Sequence, residues 1–199
     1  MGYEIPGGMG VKLAAPERQV FVLIGDGSYL MLPGELVTAV AERIPIVIVL
    51  VDNHGYASIG ALSRSVGSAG FGTHYRFAAN GSLPVDDETD PARPGLAQPA
   101  GSDVLPVDLA ANAESLGARV IRAHTIDDLR SALAEAAGSA ESGPTVVCIE
   151  TDRYAGVPSY DSWWDVPVAE TSTQETVRAA RAEYERNSSA QRQFLRGSP

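Results

Sequence analysis

The sequence predicts an α/β domain built on a doubly wound, mainly parallel sheet with helices on both faces. Four short and almost wholly apolar runs carry this prediction, at residues 20–24, 46–51, 119–123 and 145–149. They lack the alternation of half-exposed strands, so each is expected to be buried on both faces, as in a parallel sheet covered by helices. Helical patterns lie between the runs, which is the order of elements in α/β domains.

The segments between the runs have the period of helices. Residues 33–43 start at Pro33, a residue suited to a first helical turn, and connect the first two runs in a βαβ unit. Before the last run, Thr125 and Asp128 resemble a capping box, and Gly138 is expected to end that helix. The apolar stripes of these helices are Leu36, Val37, Val40, Ala41 and Ile44 in the first and Leu129, Leu133 and Ala136 in the second.

Less regular segments fill the rest of the chain. Residues 108–116 predict one more helix. Residues 78–106 combine glycine, proline and acidic residues, which is typical of a long mobile loop. We therefore expect a sheet-bearing domain at 1–150, with this loop inside it, followed by an arm and a helix at 151–199.

The C-terminal arm carries a second capping signature. Ser172 is expected to open a helix, with Glu175 as its capping-box partner, and residues 187–199 are expected to fray. Trp163 and Trp164 precede this helix. Packing of the arm is their expected role, and covering an active site or a subunit contact is the alternative.

Composition excludes several classes of function. The net charge of −10 argues against a nucleic-acid binder, which needs a basic face. The single cysteine, Cys148, excludes an internal disulfide and a CxxC metal cluster, and its apolar neighbours favour a small buried side chain. No apolar run reaches the roughly 18 residues of a membrane span, and residues 1–12 lack the pattern of a signal peptide. The expected compartment is the cytoplasm.

Polar residues follow the first two apolar runs. The first run leads into Gly25, Asp26, Gly27 and Ser28, and the second into Asp52 and Asn53. One crossover separates Asp26 from Asn53, and strands joined in this way are often neighbours about 4.8 Å apart. We therefore expect the two side chains to lie side by side at the carboxyl edge of the sheet, where open α/β sheets bind ligands.

This pair of side chains suits Mg²⁺. One carboxylate and one carboxamide are too few for a Ca²⁺ cage, whereas Mg²⁺ keeps water and takes further ligands from phosphates. Free amides at the turn after Asp26 can bind a diphosphate. A plain turn is one alternative. A dinucleotide site is another, but Leu30 stands where G-x-G-x-x-G needs its third glycine.

The motif resembles that of thiamine-diphosphate enzymes of the acetolactate synthase and pyruvate oxidase group. Those enzymes carry GDG and, about thirty residues later, a pair of asparagines. Here the motif is Gly25-Asp26-Gly27, and the pair reads Asp52-Asn53, so aspartate replaces the first asparagine. The resemblance implies thiamine diphosphate and Mg²⁺ as cofactors, bound by a thiamine-diphosphate fold.

Site residues are carried over from this resemblance position by position. Asp26, Asn53 and the backbone carbonyl of Gly55 would hold the metal. Met1 opens a stretch similar to the family's MGYGLP sequence and would lie beside the pyrimidine ring of the cofactor. The implied cofactor-binding set is Met1, Gly25, Asp26, Gly27, Ser28, Asn53, His54, Gly55, Tyr56 and Ala57.

Three further segments, residues 52–60, 70–76 and 160–170, resemble the trihydroxycyclohexane-dione hydrolases of myo-inositol breakdown. The last is the most specific, because the arm varies widely among thiamine enzymes. The resemblance implies hydrolysis of a carbon–carbon bond in a cyclic 1,2-dione, giving 5-deoxyglucuronate. A decarboxylase or synthase of 2-keto acids is the alternative, and a non-catalytic remnant is a third hypothesis.

The resemblance also implies a partner. Family members activate the cofactor with a glutamate on a separate pyrimidine-binding domain, and we find no such unit in this sequence. No catalytic residue is therefore expected within this chain, and the chain alone is expected to be inactive. The same reading frame or another polypeptide would supply the missing half, and the complete enzyme is expected to be a dimer or tetramer acting on a small polyol-dione.

The sequence gives less support for a functional role of the other polar residues. His54 is a possible substrate contact, with a structural hydrogen bond as an equal alternative. For His74 and Arg76, a structural or solvated role is favoured over contact with a polyhydroxylated ring. His124 precedes a helix cap and is expected at the surface. Glu35 is explained by the dipole of its helix.

Overall fold

The computed structural model describes residues 1–68, 72–77, 105–139, 143–155 and 163–191. Within them, four strands form one sheet in the order β1-β2-β4-β3, and all pairs are parallel. The strands are β1 (Phe21–Gly25), β2 (Val47–Asp52), β3 (Arg119–Ala123) and β4 (Thr145–Glu150). The predicted α/β class is confirmed, and the four apolar runs match the strands to within one residue at each end.

Seven helices accompany the strands in the described part of the chain. They are α1 (Glu4–Ala14), α2 (Asp26–Tyr29), α3 (Glu35–Ala41), α4 (Ala57–Ser65), α5 (Leu109–Ser115), α6 (Ile126–Gly138) and α7 (Glu175–Ala190). None of these described helices is long and apolar enough to cross a membrane. The sequence did not predict α1 or α4. Pro6 lies in the first turn of α1, where its missing N–H costs no helical hydrogen bond.

Helices cover both faces of the sheet. On one face, side chains of α1, α3 and α5 pack with alternate residues of the strands, and this cluster includes Ile5, Leu36, Ile48, Leu50, Leu109 and Val146. On the other face, α6 lies over β2, β3 and β4, and its Ala132 and Ala136 pack against Val147. The two clusters show why the strands are apolar at consecutive positions rather than at every second one.

The helix caps follow the sequence closely in the middle of the chain. Thr125 accepts the amide of Asp128 at 3.1 Å, and Asp128 accepts the amide of Thr125 at 3.0 Å, so the predicted capping box is confirmed. Asp108 caps α5 by accepting the amide of Ala111 at 2.9 Å. Gly138 ends α6 as predicted. These caps use donors that a helix terminus leaves unpaired.

The C-terminal helix differs from its prediction at both ends. Ser172 does not cap it: its Oγ accepts the amide of Gln174 at 3.1 Å, which is a local turn of the type that serine side chains form. Helix α7 therefore begins at Glu175. The prediction of fraying from residue 187 was also wrong for residues 187–190, which are helical. Residues 192–199 lie outside the described part.

Two burial predictions were also wrong. Strand β1 is not buried on both faces, because it is an edge strand and, in the described part of the chain, α6 packs mainly on β2 to β4. Phe21 and Leu23 are 49% and 71% exposed. In α3 the side chains of Val37 and Ala41 are exposed, whereas Ala39 is fully buried. Fewer apolar side chains of α3 are therefore buried against the sheet than the apolar residues of its sequence predicted.

The arm and the loop are only partly described. Trp163 packs against Tyr184 of α7, with ring centroids 6.2 Å apart, and Trp164 is 60% exposed. The predicted loop at 78–106 lies outside the described residues except for its last two. The proposed boundary between residues 150 and 151 stays a prediction.

The buried face of β2 gives a first testable prediction. Ile48→Val should lower the free energy of unfolding by about 1 kcal/mol, because Ile48 is completely buried and a deleted methyl leaves a cavity. Ile126→Val removes the same group from a side chain that is 66% exposed, so its effect should stay within about 0.5 kcal/mol. Urea denaturation of both variants measures the difference. Equal losses would contradict the assignment of this face as core.

Candidate functional site

The tips of β1 and β2 bring two aspartates together. Gly25 and Val51 are paired across these strands, so Asp26 and Asp52 follow at adjacent positions on the carboxyl edge of the sheet. Asp26 is 1% exposed and begins α2. Its Oδ2 accepts the amide of Gly55 at 2.7 Å, and this hydrogen bond ties the end of β1 to the turn after β2.

The environment of Asp26 disfavours its negative charge. Burial raises the pKa of Asp26 to about 6, the hydrogen bond from Gly55 opposes that rise, and the nearby Asp52 carboxylate adds to it. A buried carboxyl of this kind binds a proton more readily than an exposed one. A cation at the same place would replace the proton and offset the repulsion between the two carboxylates.

The turn after β2 is held in an unusual conformation. Asp52 Oδ1 accepts the amide of His54 at 2.9 Å, as in an Asx turn. His54 has φ +57° and Gly55 has φ +155°. A side chain at position 55 would overlap the carbonyl oxygen of Thr73. The turn therefore requires glycine at position 55, and the hydrogen bond from the His54 amide to Asp52 stabilises it.

Two buried oxygen atoms at these tips lack hydrogen-bond partners within the described residues. They are Oδ1 of Asp26 and Oδ1 of Asn53. Buried polar atoms are rarely left unpaired, because desolvation without a partner costs free energy. A cation that reached both atoms would satisfy them, and a carboxylate with a carboxamide is a donor set that Mg²⁺ accepts. The residues therefore fit the cation that the sequence predicted.

Within the described residues, acidic, histidine and cysteine side chains form no separate metal-binding cluster. In the described ranges, no group of three or more His, Cys, Asp or Glu side chains could hold a metal ion. A cation at the strand tips would thus depend on mixed oxygen ligands. Asp26 and Asn53 would supply one side-chain oxygen each, and the predicted third ligand is the Gly55 carbonyl.

The turn at Gly55 is bridged to the segment at residues 72–77. Gly55 and His74 form an antiparallel bridge. The amide of Tyr56 donates to the carbonyl of Thr73 at 2.9 Å, and the amide of Tyr75 donates to the carbonyl of His54 at 3.0 Å. Two backbone hydrogen bonds therefore connect this segment to the turn, although neither belongs to a strand of the sheet.

The start of the chain meets the turn after β1. The amide of Gly2 donates to Ser28 Oγ at 2.8 Å, and Ser28 Oγ donates to Glu4 Oε1 at 2.7 Å. The hydrogen bond from Ser28 is the largest cause that lowers the pKa of Glu4. Met1 thus lies next to the residue bound to Ser28, and two protein groups already engage the Ser28 hydroxyl.

Gly27 is packed beneath an aromatic ring. A Cβ at position 27 would lie 2.5 Å from Cδ1 of Tyr56, and the Tyr56 ring meets Tyr75 edge to face with centroids 6.0 Å apart. Ala57 follows as the first residue of α4. The structure thus brings the predicted residues of both turns into one region around the strand tips.

His54 turns its ring toward the end of β4. Its Nε2 lies 2.8 Å from Glu150 Oε1, and its side chain is 17% exposed. The hydrogen bond is the structural alternative considered for this residue. Contact between His54 and a substrate stays a prediction.

Each remaining polar candidate, and the single cysteine, has its own local environment. Arg76 Nε donates to His74 Nδ1 at 2.8 Å. His124 is exposed, as predicted, and Glu35 lies in the first turn of α3. Cys148 is half-buried on β4, and burial raises the pKa of its thiol to about 11, so the thiolate is disfavoured.

Sequence reasoning missed three residues that shape this site. Glu4 accepts a hydrogen bond from the Ser28 hydroxyl, and Asp52 accepts one from the amide of His54. Arg153 donates one to the carbonyl of His54, next to Gly55. The signal for Asp52 was present, because an aspartate at a strand end two residues before a turn amide favours an Asx turn. Arg153 had no local signal, since its partners lie 80 and 99 positions away.

Comparison with known families gives a match over most of the chain. The family model described as thiamine pyrophosphate enzyme, C-terminal TPP binding domain, matches residues 1–149. That range contains both strand tips and the turn at Gly55.

Several similar sequences come from bacilli. A 3D-(3,5/4)-trihydroxycyclohexane-1,2-dione hydrolase of Bacillus subtilis is 35% identical over 194 residues, which are 98% of this chain and 27% of that protein. A protein of the same name from Bacillus licheniformis is 36% identical over 180 residues, which are 90% of this chain and 24% of that protein. This chain spans about a quarter of the length of these relatives.

Two solved structures of similar fold are decarboxylases. The thiamine diphosphate-dependent 4-hydroxybenzoylformate decarboxylase of Rhodococcus jostii RHA1 aligns with 76% of this chain and 23% of that chain, at a TM-score of 0.55 and 27% identity. The benzoylformate decarboxylase of Polynucleobacter necessarius aligns with 78% of this chain and 24% of its own, at a TM-score of 0.54 and 19% identity. The second likeness concerns the fold alone.

Proposed function

Because this chain belongs to the thiamine pyrophosphate enzymes, through their C-terminal TPP-binding domain, we propose that the tips of β1 and β2 bind thiamine diphosphate with Mg²⁺. The observation that carries the proposal is the pair of buried, unpartnered oxygens on Asp26 and Asn53 in the described structure. Both lie at the carboxyl edge of a parallel sheet, where such folds bind ligands.

In this proposal the metal is held by Asp26, Asn53 and the carbonyl of Gly55. The diphosphate is bound by the amides of Gly27 and Ser28 and by the segment that leads into α4. Two features support this division. The hydroxyl of Ser28 already donates to Glu4, so the proposal assigns the amide of Ser28 to the diphosphate, and the first amides of a helix such as α4 attract phosphate oxygens.

When bound, thiamine diphosphate supplies a nucleophilic carbanion and an electron sink for cleavage next to a carbonyl. The residues of this chain anchor the diphosphate and exclude water around Asp26, which is almost completely buried. Anchoring at one end fixes the position of the reactive ring. Met1 precedes Gly2, whose amide donates to Ser28 Oγ. We propose that Met1 contacts the pyrimidine ring of the cofactor.

For the complete enzyme we propose hydrolysis of trihydroxycyclohexane-1,2-dione to 5-deoxyglucuronate. The support is the name and the 33–36% identity of the bacillar relatives. A decarboxylase of 2-keto acids is the second candidate, and the 27% identity to a 4-hydroxybenzoylformate decarboxylase favours it. Release of CO₂ from 2-keto acids, with no opening of the dione, would select this second candidate.

We also propose that catalysis requires a pyrimidine-binding domain, supplied by the same polypeptide or by a second subunit. The support is the length of the relatives, of which this chain matches about a quarter. The residues proposed here hold the diphosphate and the metal, so they do not provide the glutamate that activates the aminopyrimidine. The 199-residue chain alone is expected to turn over no dione.

Calorimetric titration tests the cofactor proposal. Thiamine diphosphate should bind the 199-residue chain in the presence of Mg²⁺, and removal of Mg²⁺ with EDTA should weaken binding at least about tenfold, because the charge of the diphosphate would then lack a neutralising cation. Asn53→Ala should cause a loss of similar size. Asn187→Ala, in α7, removes the same side chain elsewhere and should leave the affinity unchanged. Binding that is indifferent to both EDTA and Asn53→Ala would contradict the proposed site.

A further inference from the structure

Arg153 is a buried cation that reaches back to the turn after β2. It follows β4 by three residues and is 7% exposed. Its Nη1 donates to the carbonyl of His54 at 3.3 Å, and its Nη2 donates to the carbonyl of Thr73 at 2.8 Å. One guanidinium therefore joins two segments that meet at Gly55.

The same two carbonyl groups also accept backbone amides. The carbonyl of His54 accepts from Tyr75, and the carbonyl of Thr73 accepts from Tyr56. These two hydrogen bonds form the bridge at Gly55. The guanidinium therefore reinforces both of them, and a planar fork of donors suits two acceptors held at a fixed separation.

Both peptide planes next to Gly55 are fixed as a result. In the first plane, the His54 carbonyl accepts from the guanidinium, and the Gly55 amide donates to Asp26 Oδ2 at 2.7 Å. In the second plane, the amide of Tyr56 is bound across the bridge. A Cβ at position 55 would lie 3.0 Å from Nη1 of Arg153, so the guanidinium lies against the backbone of the turn. The direction of the Gly55 carbonyl follows from these two planes.

We propose that Arg153 is a positioning residue for the cation site: it fixes the two peptide planes around Gly55 and thereby aims the Gly55 carbonyl at the cation shared by Asp26 and Asn53. This inference rests on the proposed function. It adds a residue from outside the motif, contributed by the segment after β4. Lysine cannot replace it, because a single ammonium does not present two parallel donors.

Binding of Mn²⁺ in the presence of thiamine diphosphate, followed by electron paramagnetic resonance, tests this role in the 199-residue chain. Arg153→Ala and Arg153→Lys should each weaken Mn²⁺ binding at least about tenfold, which corresponds to about 1.4 kcal/mol. Guanidinium chloride at millimolar concentration should restore a large part of the affinity of Arg153→Ala and none of that of Arg153→Lys. The matched control is Arg181→Ala, since Arg181 also donates to a backbone carbonyl, that of Val168 at 2.9 Å, and its loss should leave Mn²⁺ binding unchanged.

Hydrogen exchange separates positioning from a general loss of structure. In Arg153→Ala the amides of Gly55, Tyr56 and Tyr75 should exchange at least about tenfold faster, while the amides of β2 keep their wild-type rates. Wild-type Mn²⁺ affinity in Arg153→Ala, or a loss that guanidinium does not restore, would overturn the positioning role. A wild-type chain that binds no Mn²⁺ would instead contradict the proposed function, and the cation role of Arg153 with it.

Discussion

Asp26→Asn is expected to abolish cofactor binding and at the same time to stabilise the ligand-free protein at pH 8. Binding should fall at least about a hundredfold, because the only buried carboxylate ligand proposed for the metal becomes neutral. The free energy of unfolding without ligand should rise by on the order of 2 kcal/mol, because a charge that is costly to bury has been removed.

The sign of the stability change follows from the pKa of Asp26. The pKa is about 6 in the folded protein against 3.8 for an ordinary aspartate, so the folded state holds the proton more tightly than the unfolded state. The contribution of Asp26 to the stability of the ligand-free wild type should therefore be most favourable below pH 4, fall as the pH rises from about 4 to about 6, and then level off. Asp26→Asn has no proton to lose at this position and should not show this decline.

Urea denaturation from pH 4 to pH 8, with and without thiamine diphosphate and Mg²⁺, measures both effects. The two proteins should have similar stability at pH 4 and differ most above pH 6. Only the wild type should gain stability from the ligands at pH 8. Asp165→Asn, at an exposed position, serves as the control and should follow the wild type. A mutant that is less stable than the wild type at pH 8 without ligand would contradict the account of Asp26.

Gly55→Ala is expected to destabilise the protein by about 3 kcal/mol or more and to prevent binding of Mg²⁺ and thiamine diphosphate. The added Cβ would overlap the carbonyl oxygen of Thr73 and would lie 3.0 Å from both Arg153 Nη1 and His74 Cα. These neighbours are backbone atoms or a buried side chain, so relief requires the bridge to open. The positive φ of Gly55 adds strain for any other residue.

Gly10→Ala is the matched control, since it makes the same chemical change in α1. A Cβ there would meet no atom within 4 Å. Alanine is favoured over glycine inside helices, so this variant should gain about 0.5–1 kcal/mol. Thermal and urea denaturation of the two variants, with calorimetric titration of cofactor, measures the contrast. Equal midpoints for both variants would show that the turn is not fixed as described.

The sequence by itself determined the fold class and the place of the candidate site. Buried parallel strands require consecutive apolar residues, so their positions were visible without any tertiary information. The ends of the first two apolar runs also identified Asp26 and Asn53. Their expected proximity followed from the single crossover that joins those two strands. The capping box at Thr125 was also readable, since all its hydrogen bonds span three residues or fewer.

Only the tertiary structure decided how the site is held and which surfaces are covered. Leu23 and Leu50 are both apolar strand residues, yet one is 71% exposed and the other fully buried, because position in the sheet decides whether a helix lies above a strand. Arg153 and Glu4 reach the site from segments with no local signal for it. The physical reason is that hydrogen bonding and desolvation depend on which chain segments meet in space, and spacing along the chain limits those meetings without specifying them.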